Sequence, residues 1–148
     1  MIRGAVVDAS AALSWVLPGE RTEQVLSLRE RAVAEPTFAL LVPPTFWYEV
    51  GNVLYVAVRR NRIDRNAGLD ALVALQDFSF ETWEAEPRRC LELALDEDLS
   101  VYDAAYLQLA LEAGCPIWSL DRSLRNAARA RGVAVEPEEF MPESAAEA

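Results

Sequence analysis

The apolar positions of this chain come in two rhythms, short continuous runs and longer stretches repeating every three or four residues, and they alternate along its length. Residues 2–7, apolar from Gly4 onward, lead up to Asp8 and predict a short buried strand. Ala9–Leu17 carries small and apolar residues at helical spacing and stops at Pro18-Gly19, as a helix does. Thr22 stands where a cap is wanted for a second helix running to about Ala34. Phe38–Val42 predicts a second strand, closed by Pro43-Pro44. A third helix follows over Thr45–Arg60, with Phe46, Val50, Val53, Leu54 and Ala57 on one face. Asp64 is placed to cap a fourth helix through Gln76, and Phe78–Trp83 predicts a strand. Pro87–Leu95 predicts a helix, followed by an acidic loop at Asp96-Glu97-Asp98. Ser100 opens a helix over Val101–Ala113 that ends at Gly114. Pro116–Leu120 predicts a strand, Ser123–Arg131 a helix ended by Gly132, and Val133–Val135 a last short strand.

Strands that alternate with helices imply an α/β fold with a mainly parallel central sheet of about five short strands, covered on both faces as a three-layer α/β/α stack. There is no internal repeat and no interior linker, so one domain is expected over residues 1–140. Residues 141–148 are then an acidic tail, expected to be flexible. The length of 148 residues and the 52% hydrophobic content supply a real core. No apolar run is long enough to span a bilayer and no signal segment opens the chain, so no membrane role is expected. Cys90 and Cys115 make neither a disulfide framework nor a zinc spacing. A reduced, cytoplasmic setting is expected.

Absent residue types narrow the chemistry. There is no histidine, which removes imidazole acid–base work and histidine-ligated metals. There is no lysine, which removes P-loop phosphate binding and Schiff bases; all 14 basic residues are arginine. An enzyme built from this chain must work with carboxylates, hydroxyls and arginines, with a bound metal as an option. The net charge of −10 divides evenly: residues 136–148 hold five glutamates and no arginine, and the remainder holds the other −5. An acidic total argues against nonspecific coating of nucleic acid. It leaves room for a local basic path, at Arg59, Arg60, Arg62 and Arg65 or at Arg122, Arg125, Arg129 and Arg131. These arginines are solvated helix ends on one view and phosphate contacts on the other.

In parallel sheets, sites form beyond the carboxyl ends of the strands. Asp8 ends the first strand and Asp121 follows the Pro116–Leu120 strand. Asp103 opens the helix that feeds that strand. A helix of ~13 residues travels roughly 20 Å, and a five-residue strand returns roughly 16 Å, so Asp103 and Asp121 should share one edge. Glu49 lies one turn into the third helix, among apolar neighbours. Each acid has an ordinary explanation: Asp8 and Asp121 as N-caps, Asp103 beside a capping box, Glu49 facing water. Together they are harder to explain that way. At 4 Å and an effective dielectric of ~20, each ionised pair costs roughly 4 kcal/mol, so a convergent group needs protonation, separation or a cation. Carboxylate and hydroxyl ligands suit a hard ion, Mg²⁺ or Mn²⁺.

Four stretches carry a resemblance: VVDASAALSWVLPGE, PTFWYEVGNVL, SVYDAAYLQLA and PIWSLDRSLRNAA. In this order and at this chain length, the sequence resembles PIN-domain ribonucleases, most closely the VapC toxins of toxin–antitoxin pairs. The resemblance implies a metal-dependent endoribonuclease with its acidic quartet at Asp8, Glu49, Asp103 and Asp121 and its accompanying hydroxyls at Ser10 and Ser119. It implies Asp8, Asp103 and Asp121 as metal holders, and Glu49 as a further holder or as the group that orients and deprotonates water. Ser10 would orient Asp8 or a metal-associated water. RNA is the implied substrate, a VapB-type antitoxin the implied partner, and a homodimer the implied assembly. Ser119, Arg122 and Arg125 are candidates for contact with substrate. Trp15, Phe46, Trp47, Tyr48 and Tyr55 read mainly as core or interface. Haloacid-type phosphatases and phosphoacceptor receiver domains also place acids at a sheet edge, but both rely on a lysine that is missing here. A noncatalytic PIN-like protein-binding module is the alternative from a different class.

Overall fold

A computed structural model gives the fold and describes residues 2–17, 19 and 22–138. The elements are β1 (Gly4–Val7), α1 (Ala9–Ser14), α2 (Glu23–Ala34), β2 (Ala39–Val42), α3 (Phe46–Arg59) and α4 (Arg65–Gln76). They continue as β3 (Phe80–Thr82), α5 (Pro87–Glu97), α6 (Val101–Ala113), β4 (Ile117–Trp118), α7 (Arg122–Ala130) and β5 (Val135–Glu136). The strands form one sheet in the order β3-β2-β1-β4-β5, every neighbouring pair parallel. The α/β reading and the five short strands are therefore as the pattern predicts. The end of the domain at residue 140 and the tail over 141–148 lie outside the described residues.

The central strands are apolar throughout because helices cover both faces. Every residue of β1 is buried, as are Leu40, Leu41 and Val42 of β2 and both residues of β4. Aromatic rings fill the space between sheet and helices. Trp15, 1% exposed, meets Phe78, Phe80 and Trp118 at centroid distances of 5.1, 6.5 and 6.0 Å. Phe46 packs on Phe80 at 4.8 Å. The expectation that the aromatics of α3 lie in the core or an interface divides in two: Phe46 is buried, whereas Tyr48 and Tyr55 are exposed.

Element boundaries shift for local reasons. The first helix closes at Ser14 rather than Leu17, because the Trp15 amide turns to the Ala12 carbonyl and Val16 to Leu13, tightening the last turn. The acidic stretch is not a loop. Asp96 and Glu97 complete the last turn of α5, and Asp98, at φ 54°, ends it. Arg131 neutralises that turn, 2.6 Å from Glu97 and 3.6 Å from Asp96. The α6 helix ends where expected, on Gly114 at φ 66°.

Gly4 sets how closely β1 and β2 approach. A Cβ there would overlap the carbonyl oxygen of Ala39, its register partner. Since backbone cannot yield as a flexible side chain can, Gly4→Ala should destabilise the fold by about 2 kcal/mol or more, read from the denaturant midpoint. An unchanged midpoint would mean that the two strands tolerate a wider spacing.

Candidate active site

The chain leaves β1 for β2 and β3 on one side and returns on the other side to form β4 and β5. That reversal opens a crevice beyond the carboxyl ends of β1 and β4, where parallel sheets place their ligands. Asp8 enters it directly from β1, and its amide donates to the Trp118 carbonyl at 3.0 Å, so the ends of the two strands are joined. Two serines complete the junction. Ser10 donates to Asp8 Oδ1 at 2.6 Å and accepts the Leu120 amide at 3.0 Å. Ser119, fully buried, donates to Asp8 Oδ2 at 2.5 Å and accepts the Asp121 amide at 3.0 Å.

Asp8 and Asp121 are also helix caps. Asp8 Oδ1 accepts the Ala11 amide at 2.9 Å, and Asp121 Oδ2 accepts the Leu124 amide at 2.9 Å. Capping fixes each carboxylate at a helix N-terminus, where negative charge is favoured. Opposite them stand Glu49, in the first turn of α3, and Asp103, in the first turn of α6. Glu49 accepts two hydroxyls, Thr45 at 3.0 Å on Oε1 and Tyr106 at 2.8 Å on Oε2.

All four acids line one cleft of about 620 Å³, with the exposed rings of Tyr48 and Tyr102 also on its walls and no arginine among the lining residues. Burial pushes the Asp8 carboxyl up to about 6, against the lowering effect of its three hydrogen bonds, and the charge of Asp121 adds to the rise. Burial also raises Glu49, opposed by the Tyr106 and Thr45 hydroxyls and assisted by the charge of Asp103. Asp103 is raised by burial and by Asp121. The acids therefore sense one another across the cleft, and one cation, Arg125, acts on Asp8 from behind Ser119 and not from the cleft lining. Among the described residues no three carboxylate or thiol groups close into a ready coordination set. Instead the acids face one another across an open cleft. All-oxygen donors around a space without a protein cation fit a hard divalent ion and not a soft one.

Of the eight residues singled out from sequence, Asp8, Ser10, Glu49, Asp103 and Asp121 line this cleft. Ser119 lies beneath it, turned to Asp8. Arg122 is exposed beside Asp121. Arg125 is buried, 4% exposed, and donates to the carbonyls of Ser119 at 2.7 Å and Pro137 at 2.5 Å. Its guanidinium ties the end of β4 to the segment after β5. The other arginines near it are engaged as well: Arg129 donates to the Glu138 carbonyl and Arg131 pairs with Glu97. Arg59, Arg60, Arg62 and Arg65 are exposed around the junction of α3 and α4, beyond the cleft lining. Sequence reasoning passed over Thr45 and Tyr106. Spacing offered a signal, since Thr45 precedes Glu49 by four residues and Tyr106 follows Asp103 by three, both same-face distances on a helix.

A parallel five-stranded sheet with an acidic crevice at its switch point has known counterparts. A PIN domain matches residues 5–130, and the chain belongs to the PIN-domain family. It is 34% identical over 123 residues to ribonuclease VapC3 of Pyrobaculum aerophilum, covering 80% of this chain and 90% of that protein, which places it with the VapC type. The crystal structure of PAE2754 from Pyrobaculum aerophilum matches with a TM-score of 0.68 at 25% identity, covering 89% of this chain and 83% of the other.

The raised Asp8 carboxyl gives a signed stability prediction. Its folded pKa of about 6 lies above the ordinary value of 3.8, so the folded chain holds the proton more tightly than the unfolded one. The associated stability is fully present below the unfolded pKa and is lost as pH rises through about 6, a change of about 3 kcal/mol. Asp8→Asn removes this titration. In chelator, the mutant should gain stability relative to wild type between pH 5 and pH 7.5, measured by urea unfolding. Parallel pH curves for the two proteins would contradict the assigned burial of Asp8.

Proposed function

We propose that this chain is a Mg²⁺- or Mn²⁺-dependent endoribonuclease that hydrolyses RNA phosphodiester bonds as the toxin of a VapBC-type pair. One observation carries the reading: four carboxylates from separate elements line a single cleft that has no arginine in its lining. The family to which the chain belongs and its ribonuclease relative supply the substrate class.

In this reading Asp8, Asp103 and Asp121 hold the cation. A bound divalent ion would supply charge for the phosphate in the transition state and ease deprotonation of the attacking water. Glu49 helps to hold the ion, or orients that water and accepts its proton. Ser10 supports Asp8 and is not the nucleophile, because its hydroxyl is engaged on both sides, donating to Asp8 and accepting the Leu120 amide. It holds Asp8 from one side as Ser119 does from the other. Arg122 meets a flanking phosphate, and Arg125 acts through the carbonyl of Ser119 by fixing the end of β4. The partners are RNA, a VapB-type antitoxin and a second copy of the chain, in the cytoplasm. Exposed apolar side chains on α3, α4 and α5, among them Tyr55, Leu69, Val73 and Leu95, offer surface to the protein partners. Among the described residues no helix is long and apolar enough to cross a membrane.

Purified protein should cleave single-stranded RNA with Mg²⁺ or Mn²⁺ and stop on addition of EDTA. Asp103→Asn should reduce the rate at least about a hundredfold. Cleavage that persists in EDTA would overturn the metal dependence. Expression in a bacterium should arrest growth, and Asp8→Asn should relieve the arrest. Arrest of equal strength by a cleavage-dead Asp8→Asn protein would favour a noncatalytic binding module.

A further inference from the structure

Among the described residues, six of the seven helices use their N-cap side chain in the ordinary way. Asp8, Thr22, Asp64, Glu86, Ser100 and Asp121 each accept a backbone N–H of the first turn. The exception is α3. Its N-cap, Thr45, makes no capping hydrogen bond, and its hydroxyl donates instead to Glu49 Oε1 at 3.0 Å. Thr45 has a helical backbone (φ −82°, ψ −6°) where the six capping residues are extended, so its hydroxyl stands beside Glu49 one turn on and not over the first-turn amides.

The other oxygen of Glu49 is held from a different element. Tyr106, on α6, is 1% exposed, and its phenol donates to Glu49 Oε2 at 2.8 Å. A phenylalanine would fill the same volume without a buried hydroxyl to satisfy. Tyr106 follows Asp103 by three residues, so α6 presents an acid and the donor that holds the facing acid on one side. Among the described residues this is the one hydrogen bond between α3 and α6. It joins the elements that carry two mutually repelling carboxylates.

We propose that Thr45 and Tyr106 are positioning residues: their hydroxyls fix both oxygens of Glu49 and brace α3 against α6, so that Glu49 and Asp103 face one divalent ion at a set separation. The inference rests on the reading of the cleft as a divalent-cation site. Both residues line the cleft, and both hydroxyls are donated to Glu49. Their work is to keep the Glu49 carboxylate in one orientation and to oppose the repulsion that would drive the two helices apart.

The test is Mn²⁺ titration calorimetry on the full chain at pH 7.5, with thermal unfolding in chelator as a control for folding. Thr45→Val and Tyr106→Phe should each weaken Mn²⁺ binding about tenfold, as loss of an outer partner of a ligand does. Thr45→Ser keeps the hydroxyl and should bind within about twofold of wild type. In a Glu49→Ala background, Thr45→Val should produce no further loss, since the two act through one carboxylate. Wild-type affinity in Thr45→Val and Tyr106→Phe, with or without a lowered melting temperature, would overturn the proposal and leave the hydroxyls as packing. Wild-type affinity in Glu49→Ala would overturn it too. A wild-type protein that binds no Mn²⁺ would instead sink the cation reading, and this inference with it.

Discussion

The architecture around the site depends on one arrangement: a carboxylate buried at the end of a central strand. Asp8 is 5% exposed and leads directly from a strand in which every residue is buried. An ionised carboxylate in such a place is costly unless hydrogen bonds or opposite charge compensate it. The chain supplies three donors, the Ser10 and Ser119 hydroxyls and the Ala11 amide, and still leaves the carboxyl raised. Those donors dictate much of what surrounds them. Ser10 must also receive Leu120, and Ser119 must also receive Asp121, so compensation of Asp8 fixes the end of β4 and the start of α7. Arg125 then secures Ser119 from behind through its carbonyl.

The cap and site readings of the aspartates are not rivals in this structure. Asp8 and Asp121 each accept a first-turn amide and also line the cleft. A cap holds a carboxylate by one oxygen at a helix N-terminus, with its second oxygen available. At Asp121 the second oxygen has no hydrogen-bond donor among the described residues, whereas at Asp8 it is held by Ser119. Residues that would serve local stability in any helix are thus arranged so that four helix starts, those of α1, α3, α6 and α7, bring acids to one crevice.

Much of this was legible in the sequence. Strand–helix alternation specified the sheet, and rise per residue, taken over α6 and the five-residue segment Pro116–Leu120, placed Asp103 and Asp121 at the same edge, although only Ile117 and Trp118 of that segment form β4. The distinctive turn residues at Asp64, Ser100 and Gly114 marked helix ends that the structure reproduces. The acidic stretch at 96–98 misled because charge density suggests a loop. Its partner Arg131 lies 34 residues away from Glu97 and leaves no local trace. The same holds for the Tyr106–Glu49 bond, which crosses 57 residues, and for Arg125, whose exposed-looking position in a basic cluster conceals contacts to carbonyls beyond β5. Periodicity reports which face of an element is buried. It does not report which distant polar atom a buried polar side chain will find.

The central claim is that the four acids serve one divalent ion. Its most direct measurement is anomalous diffraction from a crystal equilibrated with Mn²⁺. The account predicts a peak in the cleft, about 2.1 Å from carboxylate oxygens of at least two of Asp8, Asp103 and Asp121, with Glu49 close by. A fully equilibrated crystal with no peak there, or with manganese only elsewhere on the surface, would contradict it.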